Sequence, residues 1–469
     1  MFSKEKFPGL LALGIFTFMS TLDGSIVNIA LPSMAREMKL DMGQVTLAVT
    51  IYLVVISGLI LLFGRLGDLI GKTRIFSLGS LIFTLGSLLA GINLGLHFLL
   101  FARIVQAIGA SMTMSNSFGI TSQLFEPALR ARAMSIISMF VSLGSIAGPA
   151  IGGFILQIAS WSYIFWINVP LGIIAYMVGR KALPKDVGSG SVKDADLLGA
   201  TQMFLSVAVF FVAMSLGQAR GFANPLVIGS FIIMIGLLTW FIYTEKTVAK
   251  PLLNLDIFRS KLFSMSVITS MTMFTAGSFV NILMPFYLQD YRACAAGYAG
   301  LIMMAYPVGM FIFSPIAGVL SDKFDKEIIT FVAITGVLLV QVGYLMIGHG
   351  TALMLVLVVL FAHGASVGFF QSPNNALVMS TVESQFLGIA GSVNALGRNL
   401  GFVLGTTFAT TVLFVAMSRQ VGRRVSGYVA SQPTVFLNGM HVAFYVALIL
   451  VIFAWILSGY RLVTRQKTA

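Results

Sequence analysis

The sequence predicts an all-α polytopic membrane protein: fourteen transmembrane helices, grouped as two pseudo-symmetric six-helix bundles plus two extra helices. Three observations predict it. The 469-residue chain is 58% hydrophobic and only 10% charged, against roughly 45–50% and about 25% in soluble domains, and its mean hydropathy is +0.96. Fourteen stretches are long and apolar enough to cross a bilayer, which takes about 20 residues. Three motifs occur twice, in the same order, 253 or 254 residues apart. The low charge excludes a water-soluble enzyme, a disordered chain and a nucleic-acid-binding protein, because too few charges remain to coat a hydrated surface.

The spans lie near residues 8–31, 45–66, 75–93, 97–119, 132–158, 162–183, 197–217, 226–244, 262–289, 297–321, 328–348, 351–376, 386–417 and 436–460. The first is too long for a signal-peptide core and lacks a small-residue cleavage site, so it reads as a retained helix. The expected organisation is a six-helix bundle over 1–183, two additional helices with linkers over 184–261, and a second bundle over 262–469. The linkers are too short to fold alone.

A net charge of +13 becomes a topology statement when sorted by side. With the N-terminus in the cytoplasm, 20 of the 29 Lys and Arg fall on inner segments and 7 on outer loops (Arg36, Lys39, Arg220, Arg292, Arg419, Arg423 and Arg424). Positive charge favours the inside, so both termini are expected in the cytoplasm. The cations are also suited to weak attraction to anionic membrane lipids. The single cysteine, Cys294, excludes an intramolecular disulfide, and the four histidines are scattered. No metal, cofactor or nucleic-acid partner is expected, and a monomer is.

The repeat is carried by Asn28-Ile-Ala-Leu-Pro32 and Asn281-Ile-Leu-Met-Pro285; by Gly64-x-Leu-x-Asp68-x-x-x-Lys72 and Gly318-x-Leu-x-Asp322-x-x-x-Lys326; and by Gly144-x-x-x-Gly148-x-x-x-Gly152 and Gly397-x-x-x-Gly401-x-x-x-Gly405. Duplicated helical halves with a site between them mark secondary transporters.

This arrangement resembles the major facilitator superfamily, in particular its fourteen-helix drug:proton antiporter branch. Leu22-Asp23-Gly24-Ser25-Ile26-Val27-Asn28-Ile29-Ala30-Leu31-Pro32 is similar to that branch's first-helix signature. The segment from Gly64 through Asp68, Gly71 and Lys72 to Arg74 matches the superfamily's inner-loop motif, and Arg103 to Ala110 its fourth-helix motif. Gly144-Ser-Ile-Ala-Gly148-Pro149-Ala-Ile-Gly152-Gly153 matches the fifth-helix motif associated with antiporters. The resemblance implies a secondary active transporter, not an enzyme. It implies a proton-coupled exporter of small amphipathic compounds, with multidrug efflux and antibiotic resistance as the expected role, in a bacterial plasma membrane. An exporter or flippase of one native lipid or metabolite, and a non-transporting membrane sensor, are the alternative readings.

Individual residues sharpen this reading. Asp23 is the one carboxylate deep in a span. An ionised Asp at the bilayer centre costs about 2.5–3.5 kcal/mol, so it must be protonated, paired or facing water. It reads as the proton or substrate group, with a static ion pair as the alternative; its counterpart in the second half is Ala276. Arg103, Gln106, Ala110, Thr113 and Ser117 recur at helical spacing and form one polar or small stripe, expected to face the central cavity rather than lipid. By resemblance Arg103 joins Asp23 in proton coupling; structural pairing is the alternative. Asn28, Asn281, His363, Asn394 and Arg398 complete the expected cavity residues. Arg398 serves either substrate or backbone carbonyls, and a histidine placed like His363 more often packs through a hydrogen bond than titrates near neutral pH. By resemblance, Asp68 latches the inner side by capping the start of the thirteenth span near Phe386, and Asp322 does the same near Arg132. Asp325 stands where the first copy has Gly71. The Gly144–Gly152 run is expected to admit a close helix neighbour, and Pro149 to bend its helix. Gly364-Ala-Ser366-Val-Gly368 fits a hydrolase elbow but has no strand before it, a chance match.

Overall fold

The computed structural model describes residues 6–40, 42–184, 190–191, 194–294, 296–383, 386–423 and 432–466. Of the cations counted above, Lys4, Lys185, Lys193 and Lys467 on the inner side and Arg424 on the outer lie outside them, as does the side chain of Pro149 and with it the expected bend.

Among the described residues there are sixteen α-helices: α1 Phe7–Met38, α2 Met42–Ile70, α3 Lys72–Ala90, α4 Leu96–Leu124, α5 Pro127–Ile158, α6 Tyr163–Trp166, α7 Asn168–Ala182, α8 Leu197–Arg220, α9 Pro225–Thr247, α10 Lys261–Phe286, α11 Ala296–Met303, α12 Ala305–Lys323, α13 Lys326–Leu345, α14 Leu353–Ser380, α15 Leu387–Val421 and α16 Pro433–Gln466. They make fourteen segments long and apolar enough to span a membrane. Two spans are broken where the sequence reading made them continuous. The sixth divides at Ile167 into α6 and α7, three residues before Pro170, whose ring would clash with the carbonyl four residues earlier in an unbroken helix. The tenth divides at Met304. The ninth carries Pro285 and passes into a π-helical turn, Tyr287–Tyr291, the wider winding that follows a lost backbone donor.

The burial pattern is that of a membrane protein. Helix α3 exposes Leu78, Leu81, Leu85 and Leu88, and buries Gly79, Ser80, Thr84, Gly86 and Ser87. Lipid tails are as apolar as leucine, so large side chains gain nothing from leaving them. Small residues instead let helices meet closely. The buried hydroxyls are satisfied within the helix: Ser80 donates to Phe76 O and Thr84 to Ser80 O.

By internal packing the chain forms two units. One comprises Met1–Phe211, Ser230–Ser260 and Val378–Leu396; the other comprises Val212–Gly229, Lys261–Leu377 and Gly397–Ala469. In the first, a core of Ile26, Val27, Ala30, Trp161 and Phe165 ties α1 to the α5–α6 region. In the second, Phe279, Tyr344, Phe444 and Met440 centre a larger core, with the Tyr344 and Phe444 rings stacked at 4.8 Å. Buried Arg461 donates to Ser266 and Thr330, linking α16 to α10 and α13.

The glycine run of α5 lies along α1. A methyl group at Gly144 would stand 2.7 Å from Phe18 O, one at Gly148 would collide with Ser25 Oγ, and one at Gly152 would stand 2.7 Å from Ile26 Cγ1. Ser25 Oγ also donates to Gly144 O at 3.1 Å, crossing the interface. Overpacking typically costs about 1–3 kcal/mol. Gly148→Val is therefore expected to lower the thermal unfolding midpoint in detergent, and Gly148→Ala to lower it less. Equal midpoints for parent and Gly148→Val would remove the argument for obligatory close packing.

Candidate functional site

The first unit holds a buried polar network around Asp23 in an apolar setting. Helix α1 brings Asp23, α4 brings Arg103 and Gln106 one turn apart, α3 brings Ser87, and the break before α7 brings Asn168. All five are buried. Arg103 Nη1 donates to Asp23 Oδ2 at 2.7 Å and to Gln106 Oε1 at 2.6 Å. Gln106 Nε2 donates to Asp23 Oδ1 and to Ser87 Oγ, both at 2.9 Å. Asn168 Nδ2 donates to Asp23 Oδ1 at 3.2 Å. Arg103 Nε reaches Ala48 O on α2 at 3.1 Å. The guanidinium carbon also lies 4.0 Å from the centre of the Tyr52 ring and 5.6 Å from that of Phe165.

Each contact has a physical role. A charged pair withdrawn from water is stable only when its remaining donors and acceptors are also met. Here three donors meet the carboxylate, and the guanidinium has a carbonyl, an amide oxygen and a π face. The network is neutral as a whole and joins α1, α2, α3, α4 and α7. Asp23 is thus enclosed by contacts from several helices, and any change in its charge would act on five helices at once.

The rest of the α4 stripe behaves differently. Thr113 donates to Gly109 O and Ala110 O of its own helix, and Ser117 to Thr113 O. Only its first two polar members reach Asp23. Asn28 is exposed and donates to Gly24 O, and Asn281 is exposed as well. In the second unit, Arg398 is half-buried, its guanidinium 5.8 Å from the Phe274 ring centre. His363 is buried, with Nδ1 3.2 Å from Tyr344 Oη and its ring edge-on to Tyr306. Asn394 is buried on α15.

A second constellation sits at the end of α2. Asp68 Oδ1 accepts from Gly388 N and Oδ2 from Ile389 N, each at 3.0 Å. Those N–H groups belong to the first turn of α15, where backbone donors have no partner inside the helix and the dipole favours an anion. Asp68 therefore caps a helix 320 residues away in sequence. Lys72 Nζ lies 2.7 Å from Asp68 Oδ1, with both side chains nearly fully buried. The motif's glycines allow the approach: a methyl at Gly64 would strike Ser392, and one at Gly67 would strike Asn116. Gly71 adopts φ 115° immediately before α3, a backbone open to glycine and strained for other residues. Arg74 is exposed. In the second copy Gly318 is buried, while Asp322 and Lys326 are half-buried. There Asp325, replacing the glycine, caps its own helix α13 by accepting from Glu327 N at 3.0 Å.

Sequence reasoning missed Asn168, Ser87 and Tyr52 around Asp23. It also missed Glu245, buried beside Asp196 and accepting from Leu253 N at 2.8 Å. The available signal for Asn168 was a lone asparagine in an apolar span just before Pro170.

Comparison with known proteins gives concordant results. The riboflavin transporter RibZ of Clostridioides difficile (strain 630) is 35% identical over 455 residues, spanning 96% of this chain and 98% of that protein. Multidrug resistance protein 3 of Bacillus subtilis (strain 168) is 26% identical over 432 residues, 91% of this chain and 83% of that one. The crystal structure of the human organic anion transporter MFSD10 (TETRAN) superposes with a TM-score of 0.65 at 14% identity, covering 97% of this chain and 100% of that one, a likeness of fold. The family description "Major Facilitator Superfamily" matches residues 13–406. This multi-pass membrane protein therefore belongs to the Major Facilitator Superfamily, and it is a transporter rather than an enzyme.

Proposed function

We propose that the chain is a proton-coupled exporter of small amphipathic compounds, working by alternating access in a plasma membrane with both termini cytoplasmic, and that Asp23 carries the proton. The observation that supports this most is the enclosure of Asp23 by Arg103, Gln106 and Asn168. Protonation removes the negative charge, and Arg103 then loses its ion pair while Gln106 Oε1, Ala48 O and the Tyr52 and Phe165 faces remain beside it. The five-helix network has lost its centre, so the state of Asp23 biases the packing of α1 against α4. In this reading the Asp68 cap on α15 is a latch: while both N–H groups are held the inner side is closed, and opening requires their release.

For the substrate, the deep charges are Asp23, Arg103 and Arg398, a formal +1. That set suits neutral compounds, monovalent ions and zwitterions and serves dications poorly. Broad multidrug specificity is one reading. A dedicated metabolite exporter is the second, favoured by the 35% identity to a protein named for riboflavin over nearly the full length. Riboflavin itself is neutral, planar and amphipathic.

The test is transport in proteoliposomes with an imposed pH gradient, using riboflavin and tetraphenylphosphonium as probes. Proton-coupled export predicts uptake into inside-out vesicles that reverses sign with the gradient. Movement of riboflavin alone supports the dedicated reading; movement of both supports multidrug export. Transport indifferent to the gradient would overturn the coupling.

A further inference from the structure

The second unit contains a cavity of about 1020 Å³ where α8 and α15 end, at the upper limit of small-molecule pockets, roughly 300–1,000 Å³. Three arginines line it: Arg220, Arg419 and Arg423. Phe222, Phe414 and Val415 supply apolar wall. The α15 contributors recur at positions 410, 411, 414, 415, 418 and 419, one face of a helix. Gln218 Nε2 donates to Thr410 Oγ1 at 3.1 Å across the two walls.

The charge is unbalanced. No Asp or Glu lines the cavity. The flanking segments Gly221–Asn224 and Gly422–Gln432 contain no acid in sequence. Helix C-termini attract cations, but each carries only about −0.5 charge, so two helix ends offset roughly one of three guanidiniums. The placement is also unusual for topology. On the Lys and Arg count this end faces outward, where such residues are scarce, yet four of the seven outer cations (Arg220, Arg419, Arg423 and Arg424) fall within residues 220–224 and 419–432. The positive-inside bias does not account for them. The lining identifies the kind of ligand: three guanidiniums that suit an anionic headgroup stand beside the phenyl groups of Phe222 and Phe414, which suit an acyl chain.

We propose that this cavity is a binding site for an anionic phospholipid of the outer leaflet, its phosphate held by Arg220, Arg419 and Arg423 and its acyl chain lying along Phe222, Phe414 and Val415. Arginine matches phosphate oxygens by paired N–H donors, and the apolar wall distinguishes an amphiphile from a free anion. The site is separate from the Asp23 network and does not rest on the proton-coupling reading.

The test is native mass spectrometry of the detergent-purified protein titrated with dioleoylphosphatidylglycerol, and separately with dioleoylphosphatidylcholine. The parent is expected to retain the anionic lipid in preference to the zwitterionic one. Arg220→Gln and Arg423→Gln should each weaken retention about fivefold, and the triple variant with Arg419→Gln about 100-fold, at about 1 kcal/mol per cation near an anionic surface. The single variants keep the test intact should the triple fail to fold. Val415→Trp, which fills the groove and leaves every charge in place, should also weaken retention. Equal retention of the two lipids by the parent overturns the proposal. So does undiminished phosphatidylglycerol binding in the single arginine variants and Val415→Trp, or full displacement of the lipid by millimolar inorganic phosphate, which would mark a free-anion site.

Discussion

Asp23→Asn is expected to abolish gradient-driven transport while substrate still binds. The substitution keeps the size and one acceptor oxygen of residue 23 but removes its charge for good, fixing the site in the state that protonation reaches only transiently. A fixed state cannot exchange a proton between two sides, so uphill transport stops. Facilitated exchange of substrate down its own gradient is expected to persist. The same change strands Arg103 in a buried setting, and breaking a buried pair by removing one partner costs about 3–5 kcal/mol. Asp23→Asn should therefore unfold at lower temperature. Asp23→Asn combined with Arg103→Gln, which restores neutrality, should recover most of that stability and none of the coupling. Vesicle transport and thermal unfolding, run on parent, single and double variants, separate the two effects. Coupled transport at parental rate in either variant would falsify the role given to Asp23.

Asp68→Asn is expected to slow transport more than tenfold with little change in substrate affinity. The carboxylate holds two backbone N–H groups of α15 and the Lys72 ammonium. An amide offers a single acceptor oxygen, so one N–H loses its partner. Lys72 becomes a buried cation without its counter-charge. Losing a cap costs about 0.5–2 kcal/mol, and the stranded lysine adds to it. Asp68→Asn with Lys72→Met removes both charges and should regain stability while leaving exchange slow. Radiolabelled counterflow, read with equilibrium binding, checks this. A variant that binds and exchanges as the parent does would show the cap to be purely structural.

The parts of this molecule legible in sequence are those where membrane physics makes a residue conspicuous. A carboxylate in the middle of an apolar span stands out by its insertion cost, and so did Asp23. Arg103 and Gln106 were legible as one stripe because helical spacing is a local property. Asp68 was legible through its motif. What joins these residues was not. Asn168 lies 145 residues from Asp23, and its place depends on how α7 restarts after the break at Ile167. Tyr52 and Ala48 enter through the packing of α2 beside α4, which no spacing rule encodes. The rest of the stripe shows the opposite limit: Thr113 and Ser117 share a face with Arg103 yet spend their hydroxyls on their own helix. The repeat misleads in one place. Asp325 fills the position of Gly71, and the first copy's turn becomes an ordinary helix cap in the second.

The Asp23–Arg103 pair is also unrepeated. At the 253-residue offset the second half carries Ala276, Val356 and Val359 in place of Asp23, Arg103 and Gln106. A cycle that titrates one such carboxylate moves one proton. For a neutral cargo each turnover then carries one net charge across the membrane, so voltage as well as acidity drives it. One charge falling through 100 mV releases about 2.3 kcal/mol, which sustains a concentration ratio of roughly fifty to one. For a monovalent cation exchanged against that proton the voltage contribution cancels, and only the acidity difference remains. On the proposed coupling, a single carboxylate would set a ceiling on accumulation, and that ceiling would differ with the charge of the cargo.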